Sequence, residues 1–281
     1  MCCIDFFGES CIICVENGSY TEDIAIPKGG DRIIMERNVN FPFADLKDIS
    51  IRLAWAQLDI YADDIDQIQV IASGDAHTLS DLRIAVKEDV LIIEQPQYGI
   101  SLDITRGHWM QLCVRVPRTW DQSVHASTIS GFVGARGLGG SAVEIETVSG
   151  DIKAAKLTAG EIALRTTAGT IHGDQLMAAH LSGRSVSVDI TLDDVAAETY
   201  RVTNVSGDVH LKLQATFAQM DLRTVSGDLS ILTELKALQV SMRSVSGHKV
   251  INGIEITEDK DAPVVHATGV SGDLKIIGIR K

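Results

Sequence analysis

The sequence lacks a run of basic residues and any apolar stretch long enough to cross a bilayer; it is poor in aromatic residues, and its cysteine count is odd. Each shortage excludes something. With 25 Lys plus Arg against 38 Asp plus Glu, the chain carries a net charge of -13 and shows no contiguous basic stripe, so it repels phosphate backbones. No nucleic-acid partner is expected. The opening MCCIDFFGESCIICVENG has no basic start, no sustained apolar run and no small-residue cleavage site, so neither a secretory signal nor a transmembrane segment is expected. A cytoplasmic location follows from that reading, with the cell surface as the alternative if a native leader is missing.

The five cysteines are Cys2, Cys3, Cys11, Cys14 and Cys113, an odd and clustered set that fits a reducing compartment better than a disulfide framework. Cys11 and Cys14 have the two-residue gap of a zinc-ligand pair, and Cys2 with Cys3 would complete a four-sulfur site. Ile12 and Ile13 are not turn residues, however, and two adjacent cysteines serve one tetrahedral ion poorly. Free thiols are expected, with no cofactor.

What the sequence has in abundance is a repeat. Val-Ser-Gly-Asp stands at Val148–Asp151, Val205–Asp208, Val225–Asp228 and Val270–Asp273, with the variant Val245-Ser246-Gly247-His248 between the last two. The serine column runs Ser130, Ser149, Ala168, Ser187, Ser206, Ser226, Ser246, Ser271, in steps of 19, 19, 19, 19, 20, 20 and 25 residues. Seven of the eight following positions are glycine, which excludes coincidence and marks a conformational need.

Each period contains two runs alternating at period two. Val209-His210-Leu211-Lys212-Leu213 follows the motif, and Met220-Asp221-Leu222-Arg223-Thr224-Val225 leads into the next one. Glycine supplies a backbone angle closed to other residues at the corner between the strands; Ser and Asp would bond local amides of the turn, and Val would point into the core. The turn residues are therefore Ser149, Gly150, Asp151, Ser206, Gly207, Asp208, Ser226, Gly227, Asp228, Ser246, Gly247, Ser271, Gly272 and Asp273.

A unit of this length cannot bury its own inner face, so neighbours must stack. The expected fold is all-β, a single-stranded β-solenoid (β-helix) with coils of about 19 to 20 residues and two main strands per coil. Eight coils stacked in chain order would span roughly 38 Å. The 25-residue step is read as a polar surface insertion at Glu258–Pro263. Residues 49–281 form the solenoid, with less regular coils over 49–125 and regular ones over 126–281. Residues 1–48 show no period and are read as an irregular cap, with a membrane-touching anchor through Phe6, Phe7, Ile12 and Ile13 as the alternative.

The repeated Val-Ser-Gly-Asp blocks, with the lead-in Leu112-Cys113-Val114-Arg115-Val116-Pro117, resemble a bacterial family of unknown function commonly labelled "putative adhesin". The resemblance spans roughly residues 49–281 and implies a single-stranded β-helix with no catalytic residues.

Three side-chain columns invite a chemical reading. Asp208 and Asp228 should lie one coil apart, about 5 Å, near the separation of a retaining glycosidase pair. Their turn positions favour bonds to backbone amides instead, and Phe132, Thr170 and His248 interrupt the column. A calcium ladder would need a nine-residue glycine-aspartate period that is absent. His172 and His210 share a column two coils apart, too far to hold one ion without a partner at Thr191. Arg165, Arg184, Arg223 and Arg243, broken by Thr203, would line an anion-binding stripe unless acids such as Asp221 pair with them. The leading expectation is a non-enzymatic, adhesin-like binding or scaffold protein contacting a protein or glycan surface. The alternatives are a filament element that self-associates through its solenoid ends and, less favoured, a glycan-active β-helix enzyme.

Overall fold

The computed structural model describes residues 14–15, 18–19, 22–25, 35–95 and 109–279. Among these the protein is all-β, with one short helix, Ala76–Asp81. Two parallel ladders run along it. In one, Val124 pairs with Val143, then Ile162, Leu181, Tyr200 and Met220 in succession. In the other, Val133 pairs with Ile152, then Ile171, Ile190, Val209 and Leu229. All of these residues are buried, so the alternating pattern puts one aliphatic column per ladder into a common core. One circuit of the chain through both ladders makes a rung.

The strands Ile152–Ala168, Ile171–Arg184 and Ile190–Thr203 pass through both ladders without a break. They turn the corner at Lys156, Gln175 and Asp194, which take φ of 55°, 55° and 53°. Gly137 and Gly253 hold the same column at 70° and 73°. Only those two glycines announce this corner in the sequence; Lys, Gln and Asp there give no local signal.

The rungs do not stack in chain order. Strand Gln219–Arg223 pairs with Val264–Ser271, and that strand pairs on its other side with Ala237–Ser246. In the second ladder Leu229–Thr233 pairs with Leu274–Gly278, which pairs in turn with Lys249–Asn252. The last rung of the chain is thus inserted between its two predecessors. The segment read as a surface insertion, Glu258–Pro263, carries the chain back by one level. The outermost rung is the one with the variant motif, and it departs from the others: Lys249 stands in the column held elsewhere by Ile152, Val209 and Leu274.

Upstream, the parallel register of the regular rungs continues for two more levels: Asp48–Trp55 lies between Ser123–Ser130 and Val90–Glu94, and Gln57–Asp63 between Val133–Arg136 and Met110–Pro117, all parallel. Beyond them the pairing becomes antiparallel. Met110–Pro117 pairs with Ile68–Gly74, which pairs with Met35–Phe41; Arg83–Lys87 pairs with Val90–Glu94. This differs from the expectation of successive early coils, because the tight turn at Glu88 and Asp89 returns the chain directly on itself and cannot make a parallel crossover. Gln95 finishes the edge: its Oε1 accepts from the amides of Ala54 and Trp55 at 3.1 and 3.0 Å.

Candidate functional site

The Ser-Gly-Asp turns form a column whose bonds run between rungs. The backbone N–H of Asp208 donates to Asp189 Oδ1 at 2.8 Å, Asp228 to Asp208 at 2.8 Å, Asp273 to Asp228 at 2.9 Å, and His248 to Asp273 at 2.8 Å. This sequence of bonds follows the spatial order of the rungs and so reproduces the inserted last rung independently. It stops at His248, which carries no carboxylate to pass it on. Asp151 does the same for Thr170, accepting from its N–H and Oγ1 at 2.7 and 2.8 Å, and these bonds hold the Asp151 carboxyl below the usual range. The aspartates therefore bond the neighbouring rung and not their own turn. Asp208 and Asp228 are successive rungs of one ladder, each already accepting an amide, and do not face each other across a cleft.

The glycines stack backbone on backbone. A Cβ on Gly227 would run into the Gly207 carbonyl, one on Gly272 into that of Gly227, and one on Gly247 into that of Gly272. Gly207, Gly227 and Gly272 also take φ of 113°, 131° and 120°. Ser226 bridges Ser206 on one side and Ser271 on the other.

Valine in the motif faces solvent, which corrects the inward reading. Ile129, Val148, Val186, Val205, Val225, Val270 and Val245 are between 37% and 85% exposed. The reason is phase: the residue before each of them turns inward. Thr128, Thr147, Thr166, Ser185, Asn204 and Thr224 form a buried polar column under the turns. Asn204 is the most connected member, its Nδ2 donating to the Val188 and Gly207 carbonyls at 3.0 and 2.8 Å. A hydroxyl in an apolar core was not anticipated; the repeated Thr or Ser two places before the motif Ser was the available signal.

On the face formed by the first ladder, outward side chains make a grid. Glu161 pairs with His180, which pairs with Thr199, then Gln219; Ala163 with Ser182, Arg201 and Asp221; Arg165 with Arg184, Thr203 and Arg223. A depression of about 740 Å³ lies over these four rungs. Arg165 reaches Glu144 at 3.5 Å, while Asp221 accepts from Gln219 Nε2 at 2.8 Å and pairs with no arginine. Arg243 is separated from Arg223 by Thr268, because of the inserted rung. His172, Thr191 and His210 do stand on three consecutive rungs, and no group of three His, Cys, Asp or Glu among the described residues is placed to hold a metal.

Cys2, Cys3 and Cys11 lie outside the described residues, as do Phe6, Phe7, Ile12 and Ile13; Cys14 is described only as part of the two-residue strand Cys14–Val15. Cys113 is a half-buried free thiol, and burial pushes its pKa up. No helix among the described residues is long and apolar enough to cross a membrane.

The model of the Toastrack DUF4097 family matches residues 46–277. The chain belongs to this family. Its function as a family is unknown, and no curated protein matches the chain. Among solved structures, a "putative adhesin" from Parabacteroides distasonis is 16% identical, with 87% of this chain and 98% of that one covered at a TM-score of 0.56. One from Bacteroides fragilis is 14% identical over 88% and 97% at 0.52, and one from Parabacteroides merdae 12% identical over 91% and 100% at 0.52. At such identities the likeness is one of fold. It extends along nearly the whole length of each of those chains.

Proposed function

We propose that this chain is a non-enzymatic, adhesin-like binding protein: a single-stranded β-solenoid of 19- to 20-residue coils, two main strands each, that holds a protein or glycan along ladders of identical outward side chains. The exposed aliphatic column carries this reading. Ile129, Val148, Val186, Val205, Val225, Val270 and Val245 lie outside the buried core, yet they recur on every coil of this column but the one that carries Thr167, and an exposed apolar stripe of this kind marks a contact surface. Affinity would be summed over many weak, regularly spaced contacts. The commitment of the Asp208 and Asp228 carboxylates to neighbouring amides argues against acid–base chemistry at that column. An adhesin-like role takes the cell surface, the alternative to the cytoplasmic location that the odd, clustered cysteines suggest. Biolayer interferometry against immobilised peptidoglycan, mucin and extracellular-matrix protein tests the surface role. Binding that drops at least tenfold in the V186S/V205S/V225S variant supports it; no binding to any of the three, or binding indifferent to those substitutions, removes it.

A second reading is favoured by one observation. The outermost coil, with Val245 85% exposed, is paired on one side only over Val240–Asn252 among the described residues. Such an edge could add a strand from a second copy, although Lys249 and Arg243 on it oppose pairing. Sedimentation velocity from dilute to concentrated protein separates the two, since a filament element grows with concentration and a monomeric binder does not.

A further inference from the structure

The protein carries net charge -13, yet four successive rungs each present one outward arginine on the same face: Arg165, Arg184, Arg201 and Arg223. Arg165 and Arg184 are direct ladder partners. On the next rung the arginine moves two residues along the strand, from the Thr203 column to that of Ser182, and on the fourth it returns. With strands about 4.8 Å apart, the guanidinium groups are set out at one-rung intervals over roughly 14 Å. This regularity is invisible as a sequence column, because Arg201 is out of phase with the other three.

Three of the four are unneutralised. Arg165 meets Glu144, but no acid among the described residues pairs with Arg184, Arg201 or Arg223, although Asp221 is the ladder neighbour of Arg201. The floor between them is made of small residues, and it holds a polar atom with nothing to bond: Ser182 Oγ is buried without a hydrogen-bond partner. His180 Nδ1 and Thr199 Oγ1, 2.7 Å apart, line one side, and Glu161 closes the corner. One rung further along the face toward the N-terminal end stand Glu144 and Glu146, so the positive stretch ends there.

We infer that this groove binds a linear acidic polysaccharide, its carboxylate or sulfate groups held by the arginines and its hydroxyls by Thr199. This rests on the binding role proposed above and names a ligand class for the arginine column that lies two residues from the valine column on the same side of the strands. A guanidinium presents a planar pair of donors suited to a carboxylate or sulfate. The neighbouring acids and the overall negative charge disfavour a polymer as densely charged as nucleic acid, and the four-rung length fits about one sugar unit per rung.

The test is isothermal titration of the full chain at low and moderate ionic strength with three probes of tetrasaccharide length, namely an oligogalacturonate, a heparin fragment and a neutral dextran, and with an oligothymidylate of equal charge. The expected result is salt-sensitive binding of the first or the second, which reports whether carboxylate or sulfate is preferred, with no binding of dextran and at least tenfold weaker binding of the oligothymidylate. The R184Q/R201Q/R223Q variant should lose at least tenfold in affinity with an unchanged melting transition, while the uncharged V186S/V205S/V225S variant keeps it. Failure of both acidic glycans to bind, equal affinity of the triple-glutamine variant, or equal affinity for the oligothymidylate each overturns the assignment. None of those outcomes touches the valine-column test, so the two readings fail separately.

Discussion

Gly227 and Asp228 show how a four-residue block can serve two rungs at once. Gly227 takes φ 131° and lies against the Gly207 carbonyl, so Gly227→Ala must both strain the backbone and push two rungs apart. The expected loss is about 3 kcal/mol in chemical denaturation. Asp228 Oδ1 receives the Asp273 amide at 2.9 Å, on the solvent-exposed side of the turn. Asp228→Ala should cost about 1 kcal/mol, and Asp228→Asn less, since an amide oxygen still accepts. An equal cost for Ala and Asn would show that the contact is not a hydrogen bond to the side chain.

The long strands derive their shape from corners that no turn residue marks. Lys156 holds φ 55°, a conformation that costs an L-residue other than Gly, Asn or Asp about 1 kcal/mol. Lys156→Gly should raise stability by about 0.5 to 1 kcal/mol, measured as a higher urea midpoint with an unchanged slope. In the strand Ile190–Thr203 the bend after Asp194 is secured by Tyr200, whose hydroxyl accepts from the Ala197 amide at 2.7 Å and donates to the Val195 carbonyl at 3.3 Å. Burial raises the Tyr200 pKa to about 12 from an ordinary value of 10. A folded-state pKa above the unfolded one gives stability that is present below pH 10 and lost as pH rises through 12. Tyr200→Phe should therefore cost about 1 to 2 kcal/mol at pH 8 through the lost hydrogen bonds, and the gap to wild type should shrink between pH 10 and 12. A gap constant over that range would mean that the phenol is not held neutral by the fold.

At the scale of the whole molecule, the inserted last rung inverts the usual behaviour of a chain terminus. Strands Val264–Ser271 and Leu274–Gly278 are paired on both sides, and Val265, Ala267, Leu274 and Ile276 are buried. Their amides should exchange with deuterium more slowly than those of 240–252, which precede them in the chain but form the outer edge. Terminal segments normally fray first, so faster exchange over 265–276 than over 240–252 would contradict the stacking order.

The sequence by itself determined the period, the parallel β character of residues 126–281 and the place of the Ser-Gly-Asp turns, because a unit of 19 or 20 residues repeats its inward aliphatic column wherever it stacks; the second corner, at Lys156, Gln175 and Asp194, it left unmarked. Glycine is demanded by a contact that recurs on each rung, so it too shows in the sequence. What only the tertiary structure decided was which neighbour each rung has and which way the flanking residues point. Val148 and Val225 read as core until Thr147 and Thr224 took the inward position, a choice of phase that composition leaves open. Arg201 joins Arg184 and Arg223 across strands whose pairing is set by the rung count and not by sequence spacing. Stacking depends on backbone complementarity that is nearly the same for every rung, so local residues do not encode the order, and the exchange of the last two rungs left no mark except the extra length before Val264 and the lysine and histidine on the rung that ends the stack.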